Sequence, residues 1–373
     1  MLSFMRRTIL LALALINTAA APAIKAQWEL QNSGTTASLR GIASVGAGIA
    51  WASGSNGTVL RTEDGGYLWQ RCTVPPGAEK LDFRGIQAFD ANIAIVMSSG
   101  KGDLSRLYKT TDGCETWTLL FTNPDKEGFW DAEQFSNGSG LTAGLLAGDP
   151  VDGKFPLWWI VPSYKNPANF KESVNAHTGE AAFAASNTSL FVYSETFWLG
   201  TGGTGGAHVI RKVVHGADEI GWVNSPSSDV PVGQHTESSG IFSLAFAIDG
   251  RPRPSEIKRG VAVGGDYLKP NDSTGTAAFS ADGGKTWHAS TTSPHGYRSA
   301  VVYDASTKSW LTVGPNGTDI STDDGRNWRA LKPGPTEAPD ADQHWNALSL
   351  PFVVGPHGRI GVLNPAALKS PSK

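Results

Sequence analysis

Thr62-Glu63-Asp64-Gly65-Gly66-Tyr67-Leu68-Trp69 decides the fold, because the same order returns three more times along the chain. The copies are Thr110-Thr111-Asp112-Gly113-Cys114-Glu115-Thr116-Trp117, Ser280-Ala281-Asp282-Gly283-Gly284-Lys285-Thr286-Trp287 and Ser321-Thr322-Asp323-Asp324-Gly325-Arg326-Asn327-Trp328. Each copy starts on a hydroxyl residue and places Trp five residues after Asp. An Asp carboxylate accepts backbone N–H groups of its own turn, Gly supplies positive φ, and an indole fills the space between two sheets. Asp64, Trp69, Asp112, Trp117, Asp282, Trp287, Asp323 and Trp328 therefore read as structural corners and not as an active site.

Working outward, Gly54-Ser55-Asn56-Gly57, Gly314-Pro315-Asn316-Gly317 and Gly355-Pro356-His357-Gly358 recur as turns between the middle strands of three repeats. Asn-Gly favours the type I′ hairpin. Asp64 to Asp112 is 48 residues and Asp282 to Asp323 is 41, so the 170 residues between Asp112 and Asp282 hold two further, degenerate repeats. One begins at Phe129-Trp130-Asp131-Ala132, the other at Glu180-Ala181-Ala182-Phe183. Counted with Leu39-Arg40-Gly41-Ile42, Phe83-Arg84-Gly85-Ile86, Ile241-Phe242-Ser243-Leu244, Tyr297-Arg298-Ser299-Ala300 and Trp345-Asn346-Ala347-Leu348, they make seven first strands. This is the pattern of an all-β, seven-bladed β-propeller. The last repeat lacks a Trp strand of its own, whereas Gln27-Trp28-Glu29-Leu30 is a strand without a blade. Trp28 is expected to complete the seventh blade, so that the N-terminal strand closes the ring and leaves no sheet edge open.

The composition agrees: 44 Gly, 13 Trp and only 17% charged residues suit short strands and tight turns. Arg6-Arg7, an apolar run from Ile9 to Ile16 and small residues through Ala26 follow the order of a secretory signal, and the run is too short to span a bilayer. Residues 1–26 are read as a signal peptide and 27–373 as a single propeller domain, periplasmic or secreted, without stable membrane insertion. Removing Arg6, Arg7 and Lys25 from the 31 basic residues leaves 28 against 34 acidic, a balance that argues against nucleic acid as a partner. Cys72 and Cys114 either join neighbouring blades in an oxidising compartment or stay as two buried thiols.

The four Asp turns resemble the Asp-box, or BNR repeat, of sialidases and other propellers. Taken with Phe129-Trp130-Asp131-Ala132, Gly148-Asp149-Pro150-Val151-Asp152-Gly153, Gly264-Gly265-Asp266-Tyr267 and Gly355-Pro356-His357-Gly358-Arg359-Ile360, nearly all of the mature chain resembles propellers related to the photosystem II stability and assembly factor. That resemblance implies a propeller that binds other proteins without catalysis. The sialidase side of it implies an arginine cluster, an acid and an activated Tyr, for which Tyr267 is the candidate.

First strands line the central channel of a propeller, so the starts of those strands should converge at one mouth: Arg40, Arg84, Asp131, Glu180, Phe242, Arg298 and Trp345. Three arginines there would grip a carboxylate or phosphate through forked, charge-assisted bonds, with Asp131 and Glu180 as acids and Trp345 as a stacking face. The same charges have a purely structural use, an interlocking ring of salt bridges between blades. In a glycan-acting hydrolase, Asp131 or Glu180 would handle protons, and Tyr267 or a carboxylate would attack the anomeric carbon.

Other motifs read more plainly. Gly200-Thr201-Gly202-Gly203-Thr204-Gly205 spells a dinucleotide fingerprint, but a strand-like segment from Ala207 follows where a helix N-terminus would have to hold the pyrophosphate. It reads as a hairpin between the second and third strands of blade 4, and no cofactor is expected. Asp340-Ala341-Asp342-Gln343-His344 has too few spaced partners for a metal centre, and no metal is expected. Trp130, Trp158 and Trp159 read as core. The preferred function is an exported binding or scaffold propeller that recognises a protein partner or an anionic or glycan ligand; the alternative is a sialidase-like or other glycosyl hydrolase.

Overall fold

Short strands with alternating apolar residues need a covering face on each side, and this chain supplies it by stacking one four-stranded sheet on the next. The computed structural model describes residues 27–138, 141–161, 168–194, 196–213, 227–333 and 337–368. It is an all-β, seven-bladed propeller. Blade 1 spans residues 39–71, blade 2 83–122, blade 3 130–175, blade 4 190–229, blade 5 239–289 and blade 6 300–331. Blade 7 takes three strands from 347–363 and its outer strand from the other end of the chain, Trp28–Gln31. That strand runs antiparallel to Ile360–Leu363, with Trp28 opposite Leu363 and Gln31 opposite Ile360. The expected signal peptide, residues 1–26, lies outside the described residues.

The repeated Asp turns join the third strand of a blade to its outer strand. In each, the first hydroxyl accepts the N–H of the residue four positions on: Gly66, Cys114, Gly284 or Gly325. One oxygen of the Asp accepts the N–H of Leu68, Thr116, Thr286 or Asn327 at 2.9–3.0 Å. The four tryptophans are buried, and each packs toward the preceding blade: Trp69 beside Phe352 of blade 7, Trp117 with Trp51 and Val59 of blade 1, Trp287 with Trp198 and Val209 of blade 4, and Trp328 with Val261 of blade 5. The turn thus orders one corner while its indole glues two blades together.

Blade 2 carries Cys114 where the other three turns have Gly66, Gly284 and Gly325, and Cys114 keeps their positive φ, 71°. Its sulfur is bonded to Cys72, which follows the outer strand of blade 1, with the two Cα atoms 5.3 Å apart. The disulfide therefore crosses from one blade to the next.

Two sequence expectations are corrected here. The innermost strand of blade 4 is Leu190–Tyr193, not the segment from Glu180; Glu180–Ala181 instead pairs with Gly202–Gly203, and this small ribbon joins the inner strand of blade 5 through Gly202 opposite Gly240. The approach is so close that a Cβ on Gly202 would lie 2.4 Å from the Gly240 Cα. Among the middle-strand turns, Asn56-Gly57 and His357-Gly358 have two successive positive φ values, as the type I′ turn requires, but at Asn316-Gly317 only the glycine does, because Gly314 pairs with Gly317 and the loop starts at Pro315. The proline ring forbids positive φ at that site.

Candidate functional site

The inner strands of blades 1, 2, 3 and 5 each carry a β-bulge at the same place, and the extra residue is Arg40, Arg84, Asp131 or Phe242. A bulge releases one side chain from strict alternation and re-aims it. All four line a cavity of about 590 Å³ at one mouth of the channel, together with Phe183, Tyr267 and Tyr297. Of the seven residues that the sequence placed at this mouth, these four meet there for a reason that lies in backbone register.

The cavity is blind because the connection into blade 4 crosses the channel beneath it. Ala182 donates its N–H to the Asp149 carboxylate, Arg84 Nη1 donates to the Ala184 carbonyl, and Ser186 Oγ donates to the Ser299 carbonyl at 2.7 Å. Asn187 Oδ1 accepts the N–H of Glu133, and the Thr188 hydroxyl lies 2.7 Å from that of Ser243. Blades 2, 3, 5 and 6 are thus all tied to one segment. Ala181–Ala185 floor the first cavity, and Ser186–Thr188 border a second, of about 500 Å³, on the far side.

One wall is aromatic: Phe183 stacks on Phe242 with centroids 4.2 Å apart, and Tyr297 meets Phe242 edge-on at 4.8 Å. Tyr267, about half exposed, stands at the rim with its ring 6.0 Å from Phe242. Opposite are the charges. Arg84 is committed to Asp82 at 2.8 Å and to Ala184, but the Arg40 guanidinium has no hydrogen bond or ion pair among the described residues, and its buried Nε is unsatisfied. Burial, then repulsion from Arg84, lowers the Arg40 pKa. Burial and the neighbouring Asp149 push the Asp131 carboxyl well above the usual carboxylate range, with Arg84 offsetting only part. Asp149 is itself raised by burial.

Of the other three residues expected at the mouth, Arg298 and Glu180 lie elsewhere and Trp345 only borders the cavity. Arg298 is fully buried between sheets; its guanidinium pairs with Asp319 and donates to Asn316 Oδ1 and the Tyr297 carbonyl. Blade 6 has no bulge, since its inner strand starts at Ala300, after Arg298. Trp345 borders the cavity but is fully buried, held under Arg359 and against Trp28, and offers no open stacking face. Its neighbour Asn346, the counterpart of Arg40, borders the cavity too. Glu180 points away, into a cluster with His177, Thr201 and His208. Among the described residues no interlocking ring of salt bridges forms, because Arg84 and Arg298 each pair within their own repeat and Arg40 pairs with none.

Sequence reasoning missed Phe183, Asp149, Asp82 and Asp319. Asp149 stands in the quoted Gly148–Gly153 motif, and the alanine-rich run around Phe183 was a visible sign of backbone crossing a narrow space. Asp340–His344 turns out to be structural at Asp342, whose carboxylate accepts the Thr318 N–H at 3.0 Å. Trp130 and Trp158 are core, and Trp159 packs against the blade 3–blade 4 core while partly buried.

No family model matches this chain, and no curated protein matches it. Among solved structures the chain is similar to YCF48 bound to D1 peptide, with a TM-score of 0.58 and 16% identity over 91% of this chain and 97% of that one. It is similar also to YCF48 from Cyanidioschyzon merolae, at 0.56 and 16% over 91% and 99%, and to the WD40 β-propeller domain of Doa1, at 0.51 and 11% over 93% and 99%. At such identities the likeness is one of fold: the chain is a seven-bladed propeller of the architecture that YCF48 shares.

Proposed function

We propose that the protein is an exported, non-catalytic propeller that binds a polypeptide partner at the blind cavity, taking an anionic group of the partner against Arg40 and Arg84 and an apolar side chain against Phe183 and Phe242. The observation that carries this reading is the Arg40 guanidinium, largely buried and unpaired in an open cavity beside an aromatic wall. A buried charge without a partner is costly, and an incoming carboxylate or phosphate offsets that cost with charge-assisted bonds. The YCF48 structure in complex with D1 peptide supports a peptide as the class of partner. The blade-to-blade disulfide supports export, since such bonds persist in oxidising compartments. A glycosyl hydrolase would have to work without Glu180, which is engaged by His208 and Thr201.

The test is capture of protein partners by the mature chain from its native envelope, run beside an Arg40→Ala/Arg84→Ala variant whose melting temperature shows it folded. A partner held by the native chain and lost by the variant supports the cavity as the binding site. Equal capture by both would remove the arginines from the site, and turnover of a glycan substrate would replace binding by hydrolysis.

A further inference from the structure

On the side of the molecule that Glu180 faces, three chain segments meet. The turn His177-Thr178-Gly179-Glu180 is closed by the Glu180 N–H bonding to the His177 carbonyl and by the His177 N–H bonding to Glu180 Oε2 at 2.7 Å. Gly179, at φ 78°, permits the reversal. The third strand of blade 4, His208–Val213, brings His208 against this turn with Nδ1 3.0 Å from Glu180 Oε1, and the residue just after its second strand, Thr201, donates its hydroxyl to the same oxygen. The rings of His177 and His208 lie face to face, 4.2 Å apart.

We infer that His177, Glu180 and His208 form a binding site for a divalent transition-metal ion with the ligand preferences of zinc. A ring nitrogen of each histidine and a carboxylate oxygen of Glu180 already lie within 4.8 Å of one another, and it is the sole His, Cys, Asp and Glu grouping of this kind among the described residues. Ligands around zinc at ordinary bond lengths stand about 3.4 Å apart, so a modest contraction suffices. Two imidazoles with one carboxylate suit zinc and its neighbours, whereas calcium and magnesium want oxygen on every side.

The surroundings supply what ligands of such an ion need. Asp229, a solvent-exposed carboxylate 3.3 Å from His208 Nε2, favours a proton on that nitrogen and so leaves Nδ1 to the ion. The His177 N–H and the Thr201 hydroxyl hold the carboxylate of Glu180 in place. His177 is exposed, and its ring turns toward the ion by giving up the contact of Nε2 with Ser227 Oγ at 3.1 Å. Bound there, the ion would tie the turn that leads into the cavity floor, Ala181–Ala185, to blade 4.

Calorimetric titration of zinc chloride into the full chain, disulfide intact, is expected to give one ion per chain, and cobalt(II) in its place should show the visible band of a four-coordinate site. His177→Ala should leave the melting temperature of the metal-free protein unchanged, weaken zinc binding at least tenfold and abolish the cobalt band. Asp229→Asn, which touches no ligand atom of the ion, should weaken binding about tenfold. Absence of zinc binding with Kd below about 100 μM, or equal binding by the native chain and His177→Ala, would overturn the assignment and leave Glu180–His208 as a structural ion pair.

Discussion

Trp28 donates its indole N–H to the Thr318 hydroxyl at 3.0 Å, across 290 positions of sequence. The bond runs from the closing strand of blade 7 to the third strand of blade 6, so a strand near the N-terminus holds the last two blades together. A chain starting at Leu39 should therefore melt at a markedly lower temperature. Trp28→Ala alone is expected to cost about 3–5 kcal/mol, the range for removing a buried indole, read from urea denaturation. An unchanged midpoint would mean that closure adds nothing to stability.

Arg298 and Arg40 occupy equivalent places in their repeats but should respond oppositely. Arg298→Met leaves the buried Asp319 carboxylate with only His295 as a charged partner, at 2.9 Å, and is expected to cost about 2–4 kcal/mol. Arg40→Met removes no existing pair and keeps the apolar stem, so stability should move by less than about 1 kcal/mol while partner capture falls. A large destabilisation from Arg40→Met would show that its charge is structural.

Replacing both cysteines tests the blade 1–blade 2 link. With 42 positions between Cys72 and Cys114, the loop-entropy account gives a loss of about 4 kcal/mol for Cys72→Ala/Cys114→Ala. Cys114→Gly in the same Cys72→Ala background should recover about 1 kcal/mol, because glycine carries no penalty at the positive φ of this turn. Equal midpoints for the two double variants would mean that the turn relaxes once the disulfide is gone.

Asp342 gives the stability curve a definite sign with pH. Burial raises its pKa from 3.8 to about 6, against opposing hydrogen bonds from Thr318. Between these values the folded chain holds a proton that the unfolded chain has released, so this contribution is full below the lower value, declines as pH rises through the window, and is gone above about 6. The effect is on the order of 3 kcal/mol. Subtracting the curve of Asp342→Asn from that of the native chain should leave a slope confined to that window. A flat difference would show that Asp342 titrates normally.

The repeat count, the Asp turns and the closing role of Trp28 were all legible in the chain, because each rests on local chemistry repeated at a spacing: a carboxylate binding its own turn, glycine at positive φ, tryptophan before an outer strand. What only the tertiary structure decided is which side chain of each inner strand meets the channel. Arg40, Arg84 and Arg298 follow large apolar residues in the same way, yet a bulge aims the first two into the cavity and its absence buries the third beside Asp319. Trp345 and Asn346 both border the cavity, yet the indole is fully buried against Trp28 and under Arg359. The floor of the cavity was illegible for another reason: the segment from Ala182 to Thr188 follows no repeat, and its course is set by bonds to four blades far from it in sequence. Local turn chemistry specifies the blades, but register and long-range contacts specify what the ring encloses.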